Sequence, residues 1–419
     1  MKPDSHEIDE GTNYIGYREA LDIVNANIRL VEKEELPLHL CVNRVAAADL
    51  AARVSYPSVD VSLKDGFAVK SIDVANANRL LPVCLKLTGS AFAGARYDGL
   101  IQNGEAVKVC SGAPIPEGAD AVVSGEFCEE GLSGEVLVRA DAGVGRNIMR
   151  TGSEVEAKTT IVGKGERLLP GRLGLAAAAG VSRVNVYRRP RVAIISIGDE
   201  VVAPGEKLHI GQLYASNLVT MEAWLTSFGI SSVASVVADD KNSIIRELQR
   251  LAPDVDVILT SGGAWGSERD LIIGILDKLK WQKLFHYLRM GPGKGIAFGH
   301  WGKLPVFCLP GGPLSNEMAF LQIALPAILR MAGDEKHPLP TVPARLTEDV
   351  QGRHRAWTEF KDAVVTLDDG EYTAALYRNK SRLQAIAGAD GLICIPEGKE
   401  SLQRGDIVPV QLLIPSYHC

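Results

Sequence analysis

A multidomain α/β protein is the fold class this sequence predicts, and three observations predict it. The 419 residues exceed what one hydrophobic core usually serves, so two to four domains are expected. Strand-like and helix-like segments alternate between Arg191 and Leu279, which implies right-handed crossovers and a mostly parallel sheet covered on both faces. Short β-type runs broken by Gly, Pro and Asp lie on either side of that segment.

Taken in chain order, Ala20, Ile23, Val24, Ile28 and Val31 recur at helical intervals, so the spacing predicts a long amphipathic helix plus a connector over 17–52, with Pro37 as an interruption. Runs at 83–87, 106–109, 121–123 and 136–138 make 56–156 a separate, mainly β domain. A second connecting region follows, with an alanine-rich apolar stretch at 173–181. The α/β segment then reads as strand (RVAIISI from Arg191), helix (218–228), strand (SVASVVA), helix (243–251), strand (DVILT) and helix (270–279). Two more strands at 296–298 and 306–309 and a helix over 314–331 complete it. Beyond Pro338, short strands at 363–366, 372–375, 392–395 and 407–413 predict a small C-terminal β domain.

Composition excludes several classes. Hydrophobic residues at 46% and charged residues at 23% are ordinary for a packed globular protein. The net charge of −6 gives no general attraction to nucleic acid or to an anionic membrane, so an anionic ligand needs a local site. The seven cysteines are scattered without a CxxC pair, which argues against a zinc site or a disulfide framework. The polar, acidic start MKPDSHEIDEGTNYIGY lacks the basic and apolar regions of a signal peptide, and no apolar run approaches membrane-spanning length; a cytoplasmic location is expected.

Ligands of open parallel sheets bind beyond the carboxyl ends of the strands. That rule selects Ile197-Gly198-Asp199-Glu200, Ser261-Gly262-Gly263-Ala264-Trp265-Gly266 and Pro310-Gly311-Gly312-Pro313. Glycines let backbone N–H groups approach a ligand, and a following helix start favours negative charge, so such loops suit phosphate or another oxyanion. Each loop alone is equally well explained as a turn with an ordinary cap; three at one edge favour the binding reading. Ser315 or Asn316 could cap the last helix or touch the anion. Lys294, in Gly291-Pro292-Gly293-Lys294-Gly295, can reach an anion as a mobile charge, or simply be a solvated turn lysine. Of the acidic residues at this edge, Asp239, Asp240 and Glu268 suit helix capping, which leaves Asp199, Glu200 and Asp270 as functional candidates for a phosphate-bridging magnesium.

Together the motifs resemble the molybdopterin molybdenumtransferase family, which includes the gephyrin E domain. The resemblance runs from Tyr17 to about Pro409 through Ser62-Leu63-Lys64-Asp65-Gly66-Phe67-Ala68, Ser111-Gly112-Ala113-Pro114-Ile115-Pro116-Glu117-Gly118-Ala119-Asp120 and Gly145-Arg146-Asn147-Ile148. It continues through Ser196-Ile197-Gly198-Asp199-Glu200, Ser261-Gly262-Gly263, Pro292-Gly293-Lys294, Leu309-Pro310-Gly311 and Ser381-Arg382-Leu383. It implies an elongated, discontinuous linker and dimerisation domain from 17–55 and 157–186, an inserted β domain at 56–156, a three-layer α/β molybdopterin-binding domain at 187–335 and a β-barrel-like domain at 336–419. It also implies a homodimer whose active site is completed by the partner's inserted domain. The implied reaction is magnesium-dependent insertion of molybdate, or tungstate, into adenylylated molybdopterin with release of AMP. The implied further partners are the adenylylating enzyme and recipient apo-molybdoenzymes.

Carried over residue by residue, Asp65 and Glu154 from the partner chain, with Glu200 and Asp270, would surround magnesium and the reacting phosphate. Asp65, Glu200, Asp270 and Lys294 would be the catalytic set. Gly262, Gly263, Gly293, Pro310, Gly311, Gly312, Ser315 and Ser381 would hold the substrate, with Arg355 a further candidate. The chain departs from the family pattern where K-P-G-K is Gly291-Pro292-Gly293-Lys294, P-G-N-P is Pro310-Gly311-Gly312-Pro313, and G-E-D is Gly152-Ser153-Glu154. It departs again where Y-D-[ST]-N is Tyr214-Ala215-Ser216-Asn217 and S-G-G-V-S-V-G-E is 261–268 with Trp265. One lysine and one side-chain amide are lost, so a cofactor-binding carrier or scaffold with weakened turnover stands as the alternative reading.

Overall fold

The computed structural model describes residues 14–262, 271–378 and 381–414. The described residues fall into two compact units, one from 14–34, 43–47 and those from 186 onward, the other from 35–42 and 48–185.

The larger unit is built on a six-stranded sheet whose order is Ser232–Val237, Val192–Ile197, Val257–Ser261, Leu304–Leu309, Ala297–Trp301, Gln282–His286. The first four strands are parallel, Ala297–Trp301 runs antiparallel to them, and Gln282–His286 runs antiparallel to Ala297–Trp301, so the expected mostly parallel sheet is present. Its strands read as continuous apolar runs because both faces are covered. Val192 and Ile194 face a core shared with helices Tyr17–Asn27 and Ser216–Ser227 and with the long helical segment after Leu309. Ala193, Ile195 and Ile197 face a second core shared with helices Lys241–Leu251 and Leu271–Lys278. Period-two alternation thus sends neighbouring residues of one strand into different cores.

Helix Tyr17–Asn27 ends well before Pro37, although the apolar spacing extends the expected helix through Val31. The Asn27 side chain donates to the Ile23 carbonyl (2.8 Å), satisfying an acceptor at the helix end, and Ile28 is already extended. Ile28 and Val31 reach the same core from a non-helical path, with the Val31 amide donating to the Met331 carbonyl (2.9 Å), which is why the apolar spacing misleads. The helix expected at 314–331 occurs as Pro313–Ala319, a π-helical turn Phe320–Ala324 and Leu325–Met331. Pro326 has no amide to donate, and the widened turn before it accommodates that loss.

Within the same unit, strands Thr341–Leu346, Thr358–Asp368, Glu371–Leu376, Gly391–Ile395 and Ile407–Leu412 close into a five-stranded barrel, because Thr358–Asp368 pairs with both Glu371–Leu376 and Gly391–Ile395. Strand Leu288–Gly291 adds to this sheet, with Met290 opposite Thr358 and Gly291 opposite Glu359.

In the smaller unit, strands Ala121–Ser124, Gly66–Val69, Glu105–Val109, Val83–Ala91, Glu135–Val138 and Cys128–Glu130 form one sheet in that order. Its two faces cover separate apolar clusters, one around Phe67, Leu85 and Val136 and one around Ile101, Val107 and Val122. Helix Pro170–Ala178 stands where the alanine-rich stretch lies. Among the described residues, no helix is long and apolar enough to cross a membrane.

Arg188 clamps the start of the larger unit. It donates two near-parallel hydrogen bonds to Asp256 (2.7 and 2.8 Å) and two to Glu32 (3.1 and 2.6 Å), while the Arg191 amide also donates to Asp256 (2.7 Å). Burial opposes ionisation of Asp256, but these hydrogen bonds and the attraction of Arg188 and Arg191 outweigh it and hold the carboxyl below its ordinary range. A depressed carboxyl contributes its stability above the unfolded pKa and loses it as pH falls through the folded one. Asp256→Asn should therefore destabilise the protein by about 1–3 kcal/mol at neutral pH, the scale of a charge-assisted hydrogen bond, in denaturant titrations. The gap from wild type should close in acid; a gap independent of pH would contradict this assignment.

Candidate functional site

The parallel strands reverse their order of addition between Val192–Ile197 and Val257–Ser261, and at such a switch point the loops part and leave a crevice. Gly262 sits in it. Its φ of +95° and the 2.5 Å that would separate an added Cβ from the Ile197 carbonyl oxygen exclude a side chain. Its amide donates to the Leu309 carbonyl (3.2 Å), and Gly311 approaches its Cα so closely that a Cβ there would lie 3.5 Å away. The first, third and last loops predicted from sequence therefore meet as bare backbone.

Two asparagines lock this arrangement. Asn217, at the start of helix Ser216–Ser227, donates to the Ser261 hydroxyl (3.1 Å) and to the Gly311 carbonyl (2.8 Å). Asn316, 1% exposed, donates to the same hydroxyl (3.0 Å) and to the Pro310 carbonyl (2.8 Å). Asn316 is thus neither a helix cap nor turned to an anion; Gly312 is the capping position and has no side chain to cap with. Asn217 carries no role in the sequence reading. Its signal is an amide one residue into a helix that begins at the sheet's carboxyl edge.

Glu200 folds back over the first loop, its carboxylate within 2.7–2.9 Å of where a Cβ on Gly198 would lie. Asp199 plays a structural part, accepting the Asp239 amide (3.0 Å). Asp240 caps helix Lys241–Leu251 by accepting from the Asn242 and Ser243 amides (2.9 and 3.1 Å), as its capping reading expects. The Lys294 turn packs on the helix that follows the last loop: a Cβ on Gly293 would lie 3.5 Å from the Ser315 carbonyl oxygen and 3.3 Å from the Ala319 amide. Partial burial pulls the Lys294 ammonium below its ordinary pKa.

Further along that helix, burial pushes the Glu317 carboxyl up to about 7. A hydrogen bond from Trp224 Nε1 (3.2 Å) only partly offsets the rise, and Asp362 adds to it. Sequence reading passed over this acid because no motif surrounds it.

Helix Arg382–Gly388 packs against helix Pro313–Ala319, which brings the C-terminal Ser-Arg-Leu motif towards the same end of the sheet. Ser381 is its N-cap, accepting from the Gln384 amide (3.3 Å). Arg355 is exposed and held by the Gly398 carbonyl (3.3 Å) in a loop organised by buried Glu359, which accepts from the His354 amide (2.8 Å) and Lys361 (2.6 Å).

Asp65 and Glu154 belong to the other unit. Asp65 accepts the Ser111 amide at one oxygen (2.7 Å), and Glu154 is exposed with its own amide donating to the Tyr56 carbonyl (3.1 Å). Gly263, Asp270, Trp265 and Glu268 lie outside the described residues. Among the described residues, no three His, Cys, Asp or Glu side chains gather as a metal cage. Glu200 over a bare glycine loop fits instead a magnesium that takes one or two carboxylates and completes its shell with phosphate oxygens and water.

Comparison with known proteins agrees along the chain. Residues 15–180 match the family description "MoeA N-terminal region (domain I and II)", residues 193–330 "Probable molybdopterin binding domain", and residues 343–413 "MoeA C-terminal region (domain IV)". A Mycobacterium tuberculosis protein named molybdopterin molybdenumtransferase 2 is 31% identical over 90% of this chain and 94% of its own length. A Bacillus subtilis molybdopterin molybdenumtransferase is 30% identical over 91% and 90%. A crystal structure of a molybdopterin biosynthesis MoeA protein from Pyrococcus horikoshii superposes with a TM-score of 0.82 at 32% identity, covering 96% of this chain and 99% of that one. With the carboxyl-edge loops, the inserted β unit and the C-terminal barrel matched in one order, the chain belongs to the molybdopterin molybdenumtransferase family.

Proposed function

We propose that this chain inserts molybdate or tungstate into adenylylated molybdopterin with release of AMP, the last step of molybdenum cofactor biosynthesis. The observation that carries the reading is the glycine-lined crevice at the switch point, where Gly262 meets the Ile197 carbonyl, Gly311 lies against Gly262, Glu200 folds over Gly198 of the first loop, and the Lys294 turn adjoins the following helix. The names of the relatives support the same reading.

In this scheme Gly262 and the Pro310–Gly312 loop, with Gly263, give the phosphate-bearing substrate a backbone surface it can approach closely. Lys294, Ser315 and Ser381 hold the phosphate or the oxyanion, and Arg355 adds a second cation from the barrel. Glu200 orients the attacking water. The phosphoanhydride P–O bond breaks, the water oxygen bonds to phosphorus, its protons pass to solvent or to a carboxylate, and AMP departs. Glu200 and Asp270 would hold magnesium, which when bound neutralises phosphate charge. The metal oxyanion is cargo and ends on the pterin sulfurs, so no protein thiolate is required. We assign the reaction to a cytoplasmic homodimer in which the inserted unit of the partner chain supplies Asp65 and Glu154 as further acidic groups for magnesium and the reacting phosphate, with the adenylylating enzyme upstream and apo-molybdoenzymes downstream.

Purified protein with magnesium and molybdate should release AMP from adenylylated molybdopterin and yield a cofactor that reconstitutes an apo-molybdoenzyme; chelation should stop both and added magnesium restore them. Glu200→Gln should slow AMP release by roughly 100-fold or more, the scale of a lost acid–base group. Pterin binding at ordinary affinity together with unchanged behaviour of Glu200→Gln would instead establish the carrier reading. Lys294→Ala should weaken oxyanion binding in calorimetry at neutral pH. Because partial burial lowers the Lys294 pKa, wild-type binding should decline on the alkaline side earlier than an ordinary lysine would dictate. Lys294→Arg, charged throughout that range, should remove the decline; an alkaline limb that survives in the arginine variant refutes the assignment.

A further inference from the structure

The larger unit has a second opening, at the end of its sheet away from the glycine crevice. A cavity of about 670 Å³ lies where strands Val257–Ser261 and Leu304–Leu309 begin, bounded by residues 26–32 after the first helix, by the loop 252–256 and by the hairpin turn 301–304. Cavity and crevice are therefore separated by the length of a strand, roughly 15 Å at the usual rise per residue. One wall is held in three places. The Asn27 carbonyl is 3.1 Å from His300 Nε2, the Val31 amide donates to the Met331 carbonyl (2.9 Å), and the Glu32 carbonyl accepts the Arg188 amide (2.9 Å). A chain pinned at Asn27, Val31 and Glu32 costs little further ordering when a ligand arrives.

Part of the lining is apolar. Val31, Pro305 and Met331 are buried there, and Leu30, 53% exposed, stands at the cavity with its hydrocarbon in water. The charged groups of the lining divide into two sets. The carboxylates of Glu32 and Asp256 are engaged by Arg188, and that of Asp256 also by the Arg191 amide. Arg29 and Lys303 are exposed on the same lining and, among the described residues, have neither a hydrogen-bond acceptor nor an ion-pair partner. His300 adds no charge. Its Nε2 must carry the proton to bond the Asn27 carbonyl, and burial, helped by the nearby Arg29 charge, outweighs that bond and lowers the imidazole pKa.

Apolar walls and two unpaired cations define a ligand by its two ends, a hydrocarbon body and an anionic head. A guanidinium presents its fork to a carboxylate or a phosphate alike, and an ammonium on a hairpin turn follows as a mobile point charge. A body rich in N–H and C=O groups would lose its water against Val31, Pro305 and Met331 without replacement, so a polar heterocycle fits these walls less well than a hydrocarbon. The volume is within the range of small-molecule sites.

We propose that this cavity binds a small organic anion with a hydrocarbon body, its carboxylate or phosphate held by Arg29 and Lys303 and its apolar part against Leu30, Val31 and Met331. The inference is independent of the function proposed above, whose crevice lies at the other end of the sheet.

The test uses the full-length protein and three probes that share a bromophenyl body: 4-bromobenzoate, 4-bromophenyl phosphate and the neutral 4-bromobenzyl alcohol. Crystals soaked in each anion and measured at the bromine absorption edge should show an anomalous peak between residues 29–31 and 300–305. Calorimetry, run also on Lys294→Ala protein so that uptake at the other edge is told apart, should find both anions about tenfold tighter than the alcohol; the tighter of the two assigns the head group. Arg29→Ala should weaken both anions about tenfold, the scale of one charge-assisted contact, and leave the alcohol as it was. The Arg29→Ala/Lys303→Ala double variant should lose more, and because both side chains are exposed it should melt as wild type does. A cavity without bromine, an alcohol that binds as tightly as the anions, or unchanged affinity in the double variant overturns the proposal. AMP release with an empty cavity would leave the proposed function standing without this site, and anion binding here without AMP release would leave the site standing without that function.

Discussion

The approach of Gly262 to the Ile197 carbonyl is the contact on which the rest of the candidate site depends. Two parallel strands leave the sheet in diverging directions, and only a residue without Cβ lets their loops stay this close. Everything at the carboxyl edge is then referenced to that point. Gly311 lies against Gly262, the hydroxyl of Ser261 anchors Asn217 and Asn316, and those amides fix the Gly311 and Pro310 carbonyls. Buried polar groups satisfied in this way hold a loop in one geometry, because each broken bond would leave an unpaired donor or acceptor in a low dielectric.

The same packing bears on the positions where the edge departs from the family pattern. The amide lost at Gly312 belongs to a position whose own backbone caps the helix Pro313–Ala319. Charge is another matter. With Gly291 where a lysine is usual, Lys294 is the cation of that turn, and its lowered pKa reflects a group partly withdrawn from water. Glu317, buried and titrating near neutrality one turn into the adjacent helix, adds a negative charge as pH rises past about 7.

Much of this was legible in the sequence, and the failures are physically specific. Strands Val192–Ile197, Val257–Ser261 and Leu304–Leu309 were readable because burial on both faces leaves uninterrupted apolar runs. Strand Gln282–His286 was not, since at a sheet edge only Phe285 is buried. Leu288–Gly291 was invisible for another reason: its partner is Thr358–Asp368, far along the chain, and four residues carry no periodicity. The three glycine loops could be placed by the strand rule, whereas the hydrogen bond of Asp199 to the Asp239 amide could not, because it joins loops at the ends of two different strands. The clasp made by Asn217 and Asn316 escaped, although Asn316 stood as a cap or anion candidate, because a clasp is a relation between distant residues and composition near either one does not disclose it. The cavity at the start of strands Val257–Ser261 and Leu304–Leu309 was hidden likewise, assembled from segments between Ala26 and Met331.

The central proposal is that the crevice at Gly262 and Gly311, with the Lys294 turn packed on the helix that follows, receives a doubly charged oxyanion. Crystals soaked in tungstate and measured at the tungsten absorption edge test it most directly. The account predicts one strong anomalous peak within hydrogen-bonding reach of that backbone and of Lys294, absent in Lys294→Ala crystals. A crevice without the peak, or tungsten bound only elsewhere on the molecule, would contradict it.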